Sequence, residues 1–283
     1  MTPVSLAELT RINQALRDAG QLAQTLATQP FEIIEKGKHD FATSIDCQLD
    51  DILSQQFQAW FPADGIITEE NPDSRIQFHQ NYERLWLIDP LDGTDDLIRL
   101  QRNYSVMVGL WQEGAPRAGW VYDPAADQLF YGGPSWGLWQ SNGNDPAFPL
   151  KPSPPPHPTP DQAPLMIGYK DFQAYGAAIQ QAIPETQFHF LGSFGLKVLQ
   201  VITGQVGLYL YLNKRVKLWD TTAPLALAQA AGLICCDLTG EPLRFSADSL
   251  EHETLTHDQT ILVGWPNYID CFRERLQLAI ESV

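Results

Sequence analysis

The stretch Leu85-Trp86-Leu87-Ile88-Asp89-Pro90-Leu91-Asp92-Gly93-Thr94-Asp95-Asp96-Leu97 constrains this chain more than any other. Four apolar residues run unbroken into a carboxylate, the pattern of a buried strand with a functional group at its carboxyl end. Pro90 is expected to end the hydrogen-bond ladder, and Gly93 to permit a tight turn or close backbone approach to a ligand. Thr94 to Ile98 would then open a helix whose free N–H groups face whatever the aspartates hold. Carboxylates beside an anion-seeking helix start are an odd pairing unless a cation sits between them and a phosphate.

The rest of the chain supports a mixed α/β protein. Its 283 residues suffice for one large domain or two tightly joined halves, and 44% hydrophobic residues provide a full core. Ser5-Leu6-Ala7-Glu8 fits a capping box before a helical stripe at Leu6, Leu9, Ile12, Leu16, Ala19, Leu22 and Leu26. A second helical pattern follows at Leu49, Ile52, Leu53 and Phe57, with Asp46 where an N-cap would lie. Gly65 to Thr68 reads as a short strand ending in Glu69-Glu70. Tyr104 to Trp111, Ala118 to Tyr122 and Gln128 to Tyr131 read as an antiparallel meander. Prolines at 146, 149, 152, 154, 155, 156, 158, 160 and 164 mark an extended connector that excludes helix and central strand. It divides the chain into residues 1–145, a connector over 146–164, and a second α/β half over 165–283. In that half strands are expected at Leu165 to Lys170, Phe188 to Leu191 and Val206 to Leu212, and helices at Phe172 to Ile183, Leu196 to Thr203 and Thr222 to Ala231. No internal repeat is present.

Charge and cysteine usage narrow the partners. A formal net charge of −16 argues against a nucleic-acid polymer or an anionic membrane, and an anionic small molecule would need metal ions or local cations. Cys47, Cys235, Cys236 and Cys271 show neither a metal spacing nor a disulfide framework, so a reducing, cytoplasmic setting is expected. The first 29 residues lack a secretory pattern, and no apolar run reaches the length of a membrane span.

Hard cations such as Mg²⁺ take oxygen ligands and bridge phosphate oxygens. Asp89, Asp92 and the carbonyl of Leu91 lie within one turn; with Glu69 they could hold one or two ions, and Asp220 could close a second site from the other half. Two metals about 4 Å apart can clamp the attacking water and the leaving oxygen of an in-line phosphoryl transfer. Each aspartate, taken singly, is also explained as a turn or helix cap.

At this point DPLDGT, the preceding Glu69-Glu70 and the later Trp219-Asp220 element resemble the inositol monophosphatase superfamily of Mg²⁺-dependent, Li⁺-sensitive phosphatases, over about Lys36 to Gly232. The resemblance implies a layered α/β/α/β/α sugar-phosphatase fold with two mixed sheets, two or three Mg²⁺ ions, a small phosphorylated substrate and frequent homodimers. It implies Glu69, Asp89, Leu91 through its carbonyl, Asp92 and Asp220 as metal ligands, with Thr94 and Asp46 orienting the nucleophilic water. The segment Asp40-Phe41-Ala42-Thr43-Ser44-Ile45-Asp46 matches the family's D-L-V-T-x-x-D and makes Asp46 catalytic rather than only a cap. The amides of Gly93 and Thr94 would receive the phosphate. Lys36 also matches a family lysine near the metals, while Lys36 and Lys38 read equally as solvated charges.

Trp219-Asp220-Thr221-Thr222-Ala223-Pro224 is nearer the 3′(2′),5′-bisphosphate nucleotidases, as are the Gly192 to Tyr211 segment and Arg102 to Leu110. This implies 3′-phosphoadenosine 5′-phosphate as substrate, with Ser193, Lys197 and Lys217 touching it and Phe194 as an apolar wall; Lys214 and Arg215 add nearby charge. An inositol monophosphatase or a fructose-1,6-bisphosphatase-like enzyme is the alternative. The family's usual DGTTNF is DGTDDLI here, so Asp95 and Asp96 should repel a second anionic group. Other chemistries fit poorly. Asp89 and Asp92 are three apart, not the two of aspartyl-phosphate enzymes, and no EF-hand pattern is present. His252 and His257 would fall about 140° apart on a helix, too far for a shared zinc. Gly192-Ser193-Phe194-Gly195 lacks the spacing of a nucleophile elbow. A retired phosphatase kept for binding alone would have lost Asp46, Thr94 or a ligand, and all are present.

Overall fold

A computed structural model describes residues 2–37, 40–159 and 162–283; Lys38 and Pro160 lie outside them. Helix α1 (Leu6–Ala27) opens on the expected reciprocal box, with the Ser5 amide donating to Glu8 Oε2 at 2.6 Å and the Glu8 amide to Ser5 Oγ at 3.3 Å. Strands β1 (Ile33–Gly37) and β2 (Asp40–Thr43) make a separate hairpin, β1 exposed along its length. Helix α2 (Ser44–Trp60) leads to β3 (Gly65–Thr68), and a 3₁₀ segment (Pro72–His79) leads to β4 (Arg84–Asp92). Helix α3 (Thr94–Leu100) follows, then a meander of β5 (Ser105–Gln112), β6 (Ala115–Asp123), β7 (Gln128–Gly133), β8 (Gly137–Asn142) and β9 (Phe148–Pro149). The remainder runs β10 (Ala163–Ile167), α4 (Tyr169–Ala182), β11 (Thr186–His189), α5 (Phe194–Ile202), β12 (Leu208–Tyr211), α6 (Leu218–Ala230), β13 (Ile234–Cys236), β14 (Ile261–Gly264) and α7 (Pro266–Glu281).

Both main sheets are mixed. The seven-stranded sheet runs β3 to β9 in chain order, parallel between β3 and β4 and antiparallel thereafter. The five-stranded sheet has the order β11-β10-β12-β14-β13, with β11, β10 and β12 parallel. Side chains alternate across β4: Trp86 and Ile88 join a core with α1 and α2, whereas Leu85 and Leu87 join the larger core with α5, α6 and the second sheet. Helices α4 and α7 pack together beyond that sheet. The layers are therefore helix, sheet, helix, sheet, helix, as the resemblance implied.

Four sequence expectations need correction. Pro90 does not end β4; register holds to Asp89↔Met107, bulges over Pro90-Leu91 and resumes at Asp92↔Ser105. A bulge is where a strand tolerates a residue with no N–H. The connector is extended over 150–158, but Phe148-Pro149 pairs with β8, and Pro164 lies within the interior strand β10. Its missing N–H faces the β12 side, where pairing begins only at Leu165. Strand β11 starts at Thr186, two residues before the expected position. Helix α6 begins at Leu218, which puts Asp220 inside its first turn rather than before it.

Two glycines seat α6. Gly109 and Gly119 are cross-strand partners on β5 and β6, and a Cβ at Gly119 would stand 2.1 Å from the Ala223 carbonyl oxygen. A Cβ at Gly109 would stand 2.6 Å from Thr222 Cγ2. Without side chains there, the helix backbone lies directly on the first sheet and carries Asp220 with it.

Candidate active site

Parallel pairing of β3 with β4, in register at Thr68↔Ile88, brings Glu69 and Asp89 side by side, just past β3 and just before the β4 bulge. The Glu69 amide extends the ladder, donating to the Ile88 carbonyl at 3.1 Å. Asp220 reaches them from α6. One carboxylate oxygen from each of Glu69, Asp89 and Asp220 lies within 4.8 Å of the others. Asp89 Oδ1 accepts the Leu91 amide at 3.0 Å, but its buried Oδ2 has no partner among the described residues. Burial, and then the charges of Glu69, Asp92 and Asp220, push the Asp89 carboxyl well above the usual range. Burial and Glu69 raise Asp220 to about 7, against Lys217. A buried oxygen without a donor, set among repelling carboxylates, is satisfied by a cation; this donor set fits a hard divalent ion.

A further acidic group backs the trio. Burial and Glu69 raise Glu70 to about 7, opposed by Lys36, whose Nζ is 2.6 Å from Glu70 Oε1 and 3.2 Å from Glu69 Oε1. Burial opposes the Lys36 charge, but the two glutamates prevail and raise its pKa. Lys36 thus pairs with two of the acids rather than standing as a solvated charge. Asp50 escaped sequence reasoning: its Oδ2 accepts Thr68 Oγ1 at 2.8 Å and its Oδ1 the Glu70 amide at 3.3 Å. Burial raises it to about 6. The available signal was its spacing, four residues after Asp46 on one helix face.

Asp46 is not the N-cap of α2; Thr43 is, and Asp46 is the third residue of the helix, accepting the Thr43 amide at 2.9 Å and the Thr43 hydroxyl. Its other oxygen, Oδ1, lies 2.9 Å from Thr94 Oγ1, which is also 3.2 Å from the Leu91 carbonyl oxygen. Burial raises the Asp46 pKa, restrained by Thr43 and Thr94. Gly93 caps α3 at φ 101°, with a Cβ there 3.0 Å from both the Asn103 carbonyl oxygen and the Ser193 amide nitrogen, so only glycine fits without strain.

Asp92 stands outside the trio. Its Oδ1 accepts the Phe194 amide at 2.9 Å; its Oδ2 accepts the Gly195 amide at 2.8 Å, the Ser193 hydroxyl and, at 3.3 Å, the Ser105 hydroxyl. It anchors the start of α5. Ser193 and Lys197, expected to touch substrate, are buried instead. Ser193 is the N-cap of α5, accepting the Leu196 amide at 2.9 Å. Lys197 points its Nζ at the Gly192 carbonyl oxygen, 2.8 Å away, and lies over the Tyr209 ring. Phe194 is also internal, packed edge-on against Tyr209 and Tyr211. The reason is common to all three: α5 lies between the two sheets, buried along nearly its whole length. Lys217 is half-buried, its Nζ over the Trp219 ring. His257 bonds Thr221 Oγ1 within the core while His252 stacks on His79, so the two do not share a site.

Comparison with known proteins identifies the family and the fold. The family model described as the inositol monophosphatase family matches residues 5–264. The chain is 26% identical over 240 residues to the 3′(2′),5′-bisphosphate nucleotidase CysQ of Escherichia coli, covering 84% of this chain and 94% of that protein. It is 25% identical over 238 residues to the inositol-1-monophosphatase of Bacillus subtilis, covering 81% and 85%. In structure it is similar to an IMPase of Thermotoga maritima, with a TM-score of 0.79 at 21% identity over 98% of this chain and 99% of the other. The chain belongs to the inositol monophosphatase family and is a metal-dependent phosphatase, a phosphoric monoester hydrolase.

Proposed function

We propose that this enzyme uses Mg²⁺ to hydrolyse 3′-phosphoadenosine 5′-phosphate to AMP and inorganic phosphate. The reading rests on the Glu69–Asp89–Asp220 trio and its partnerless Asp89 oxygen. These carboxylates, with the Leu91 carbonyl and Asp92 nearby, would hold two or three ions. When bound, such ions offset charge on the phosphoryl oxygens and make water nucleophilic at neutral pH. Thr94 has one hydroxyl proton; donating it to Asp46 leaves its lone pairs to accept a proton from the attacking water. The Asp46 carboxylate, buried and raised, fixes that orientation and draws the proton away. The Leu91 carbonyl oxygen lies 3.2 Å from Thr94 Oγ1 within one short turn, so a carbonyl that would hold a metal and a hydroxyl that would orient the water sit at a fixed separation.

Thr94→Ala is therefore expected to lower kcat about 10²-fold while KM moves less than about threefold. Steady-state kinetics at saturating Mg²⁺ decides it: a raised KM with kcat intact would make Thr94 a binding residue.

The nucleotide preference is supported by the WDTTAP element and by Lys214, Arg215 and Lys217 ahead of α6. Asp96 weighs against it less than its charge suggests, since Oδ2 accepts the Gly192 amide at 2.9 Å and is engaged with protein. The test is phosphate release from 3′-phosphoadenosine 5′-phosphate, inositol 1-phosphate and fructose 1,6-bisphosphate at equal Mg²⁺. The nucleotide should show the highest kcat/KM. A ratio favouring either sugar-type substrate assigns the enzyme to the inositol or fructose class; no Mg²⁺-dependent release from any would overturn the substrate assignment altogether.

A further inference from the structure

Strands β11, β10 and β12 run parallel and end on one edge of the second sheet, the edge where open α/β sheets bind ligands. Strand β10 is followed by Gly168-Tyr169 and β11 by Phe190-Leu191-Gly192-Ser193. Tyr169 is 65% exposed and Phe190 45%, although large aromatic side chains elsewhere in the chain are mostly buried. Their ring centroids are 6.4 Å apart at an interplanar angle of 71°. Phe190 is braced from behind by Phe172, 5.1 Å away edge-to-face, and Phe172 by Phe188 at 5.0 Å. The pair is thus supported on the protein side and open to water on the other.

Hydrogen bonds hold the segment that follows Phe190 against Asp92 and Asp96. Phe190 lies three residues from Ser193, so their Cα atoms are within about 11 Å. Between them Gly192 is held twice, its amide donating to Asp96 Oδ2 and its carbonyl accepting from Lys197 Nζ. Ser193 donates to Asp92. Tyr169 lies two residues from Asp171, whose Oδ2 accepts the Leu212 amide at 2.9 Å just past the end of β12. The Phe190 turn is therefore held to Asp92, the Tyr169 turn to the end of β12, and the ring contact joins the two. Exposed rings at the ends of these strands, one of them three residues from the Ser193 that bonds Asp92, suit a substrate with a planar π face, which a polyol phosphate lacks.

We propose that Tyr169 and Phe190 form the wall on which the base of a nucleotide substrate stacks, and so determine specificity; this deepens the nucleotidase reading and rests on it. Sequence reasoning placed the wall at Phe194, which is internal. The test uses the Tyr169→Ala/Phe190→Ala double variant, with Tyr169→Phe/Phe190→Tyr as the conservative pair. Two quantities are read: AMP binding by calorimetry in Mg²⁺, and the ratio of kcat/KM for 3′-phosphoadenosine 5′-phosphate over inositol 1-phosphate. The double alanine should weaken AMP binding about tenfold and lower the ratio by a similar factor through KM, while the conservative pair restores both. Unmoved AMP affinity, or equal loss with both substrates, would overturn the proposal. So would unmoved AMP affinity with a changed sedimentation mass, which would make the rings an interface between copies. AMP titration needs no turnover; a wild type that binds AMP through these rings yet prefers inositol 1-phosphate would count against the nucleotidase reading alone.

Discussion

Asp89→Asn is expected to abolish nearly all turnover, by about 10³-fold or more, while making the metal-free protein more stable. Both effects have one cause. Without metal, Asp89 must either carry a buried charge beside Glu69 and Asp220 or take up a proton at the cost its raised pKa reflects, and its Oδ2 has no partner among the described residues. Uncompensated buried charge costs several kcal/mol. An asparagine keeps the Oδ1 acceptor for the Leu91 amide and puts an uncharged N–H₂ donor where the partnerless oxygen was, beside carboxylates that attract it rather than repel it. Without divalent ions the variant should gain on the order of 1–3 kcal/mol. With them it should lose the electrostatic anchor for the cation, so the chemistry falls with the affinity. Urea unfolding in chelator and calorimetric Mg²⁺ titration read the two effects separately. A variant that is less stable in chelator, or that binds Mg²⁺ as the wild type does, would remove Asp89 from the proposed ligand set.

What the sequence could and could not disclose follows from the kind of physics each residue depends on. Strand β4 was legible because a strand covered on both faces must be apolar at every position, and Leu85 to Ile88 satisfy that in one unbroken run. Glu69 and Asp89 were legible as a pair because each follows an apolar run. Pro90 misled because the ladder rule for proline has an exception at bulges, and a bulge depends on the partner strand. Ser193, Phe194 and Lys197 misled for a related reason. Helix α5 carries Lys197 and follows Ser193, polar residues that suit a ligand contact, yet it lies between two sheets and takes Lys197 inward to a carbonyl and a ring. Asp50 had only its spacing from Asp46 to mark it, and the Tyr169–Phe190 pair had no local mark at all. Their significance comes from Thr68, Glu70 and Phe172, which only the fold brings beside them.

Chelated protein should lose thermal stability as pH rises from about 4 to about 8, and Mg²⁺ should reverse that trend. In the folded, metal-free state burial and mutual repulsion raise Asp220 and Glu70 to about 7, raise Asp50 to about 6 and hold Asp89 well above its ordinary range. Unfolded, these groups titrate near 4. Between those limits the native state binds more protons than the unfolded state, so stability falls with rising pH. The stabilisation is fully present below the unfolded pKa values and is lost as pH passes the folded ones, by an amount on the order of several kcal/mol. A divalent ion replaces the protons: its affinity should rise over pH 6 to 8, and loaded protein should hold its Tm over that range. The net charge of −16 would also destabilise the chelated fold as carboxylates ionise, but diffuse repulsion is screened by salt, whereas a buried cluster is screened much less. The decisive measurement is Tm against pH in chelator and in Mg²⁺, at low and at 0.5 M salt (roughly a 4–5 Å screening length). A slope in chelator that vanishes at high salt would assign the effect to overall charge; a slope that survives salt but flattens in Asp89→Asn would locate it in the acidic cluster around Glu69, Asp89 and Asp220.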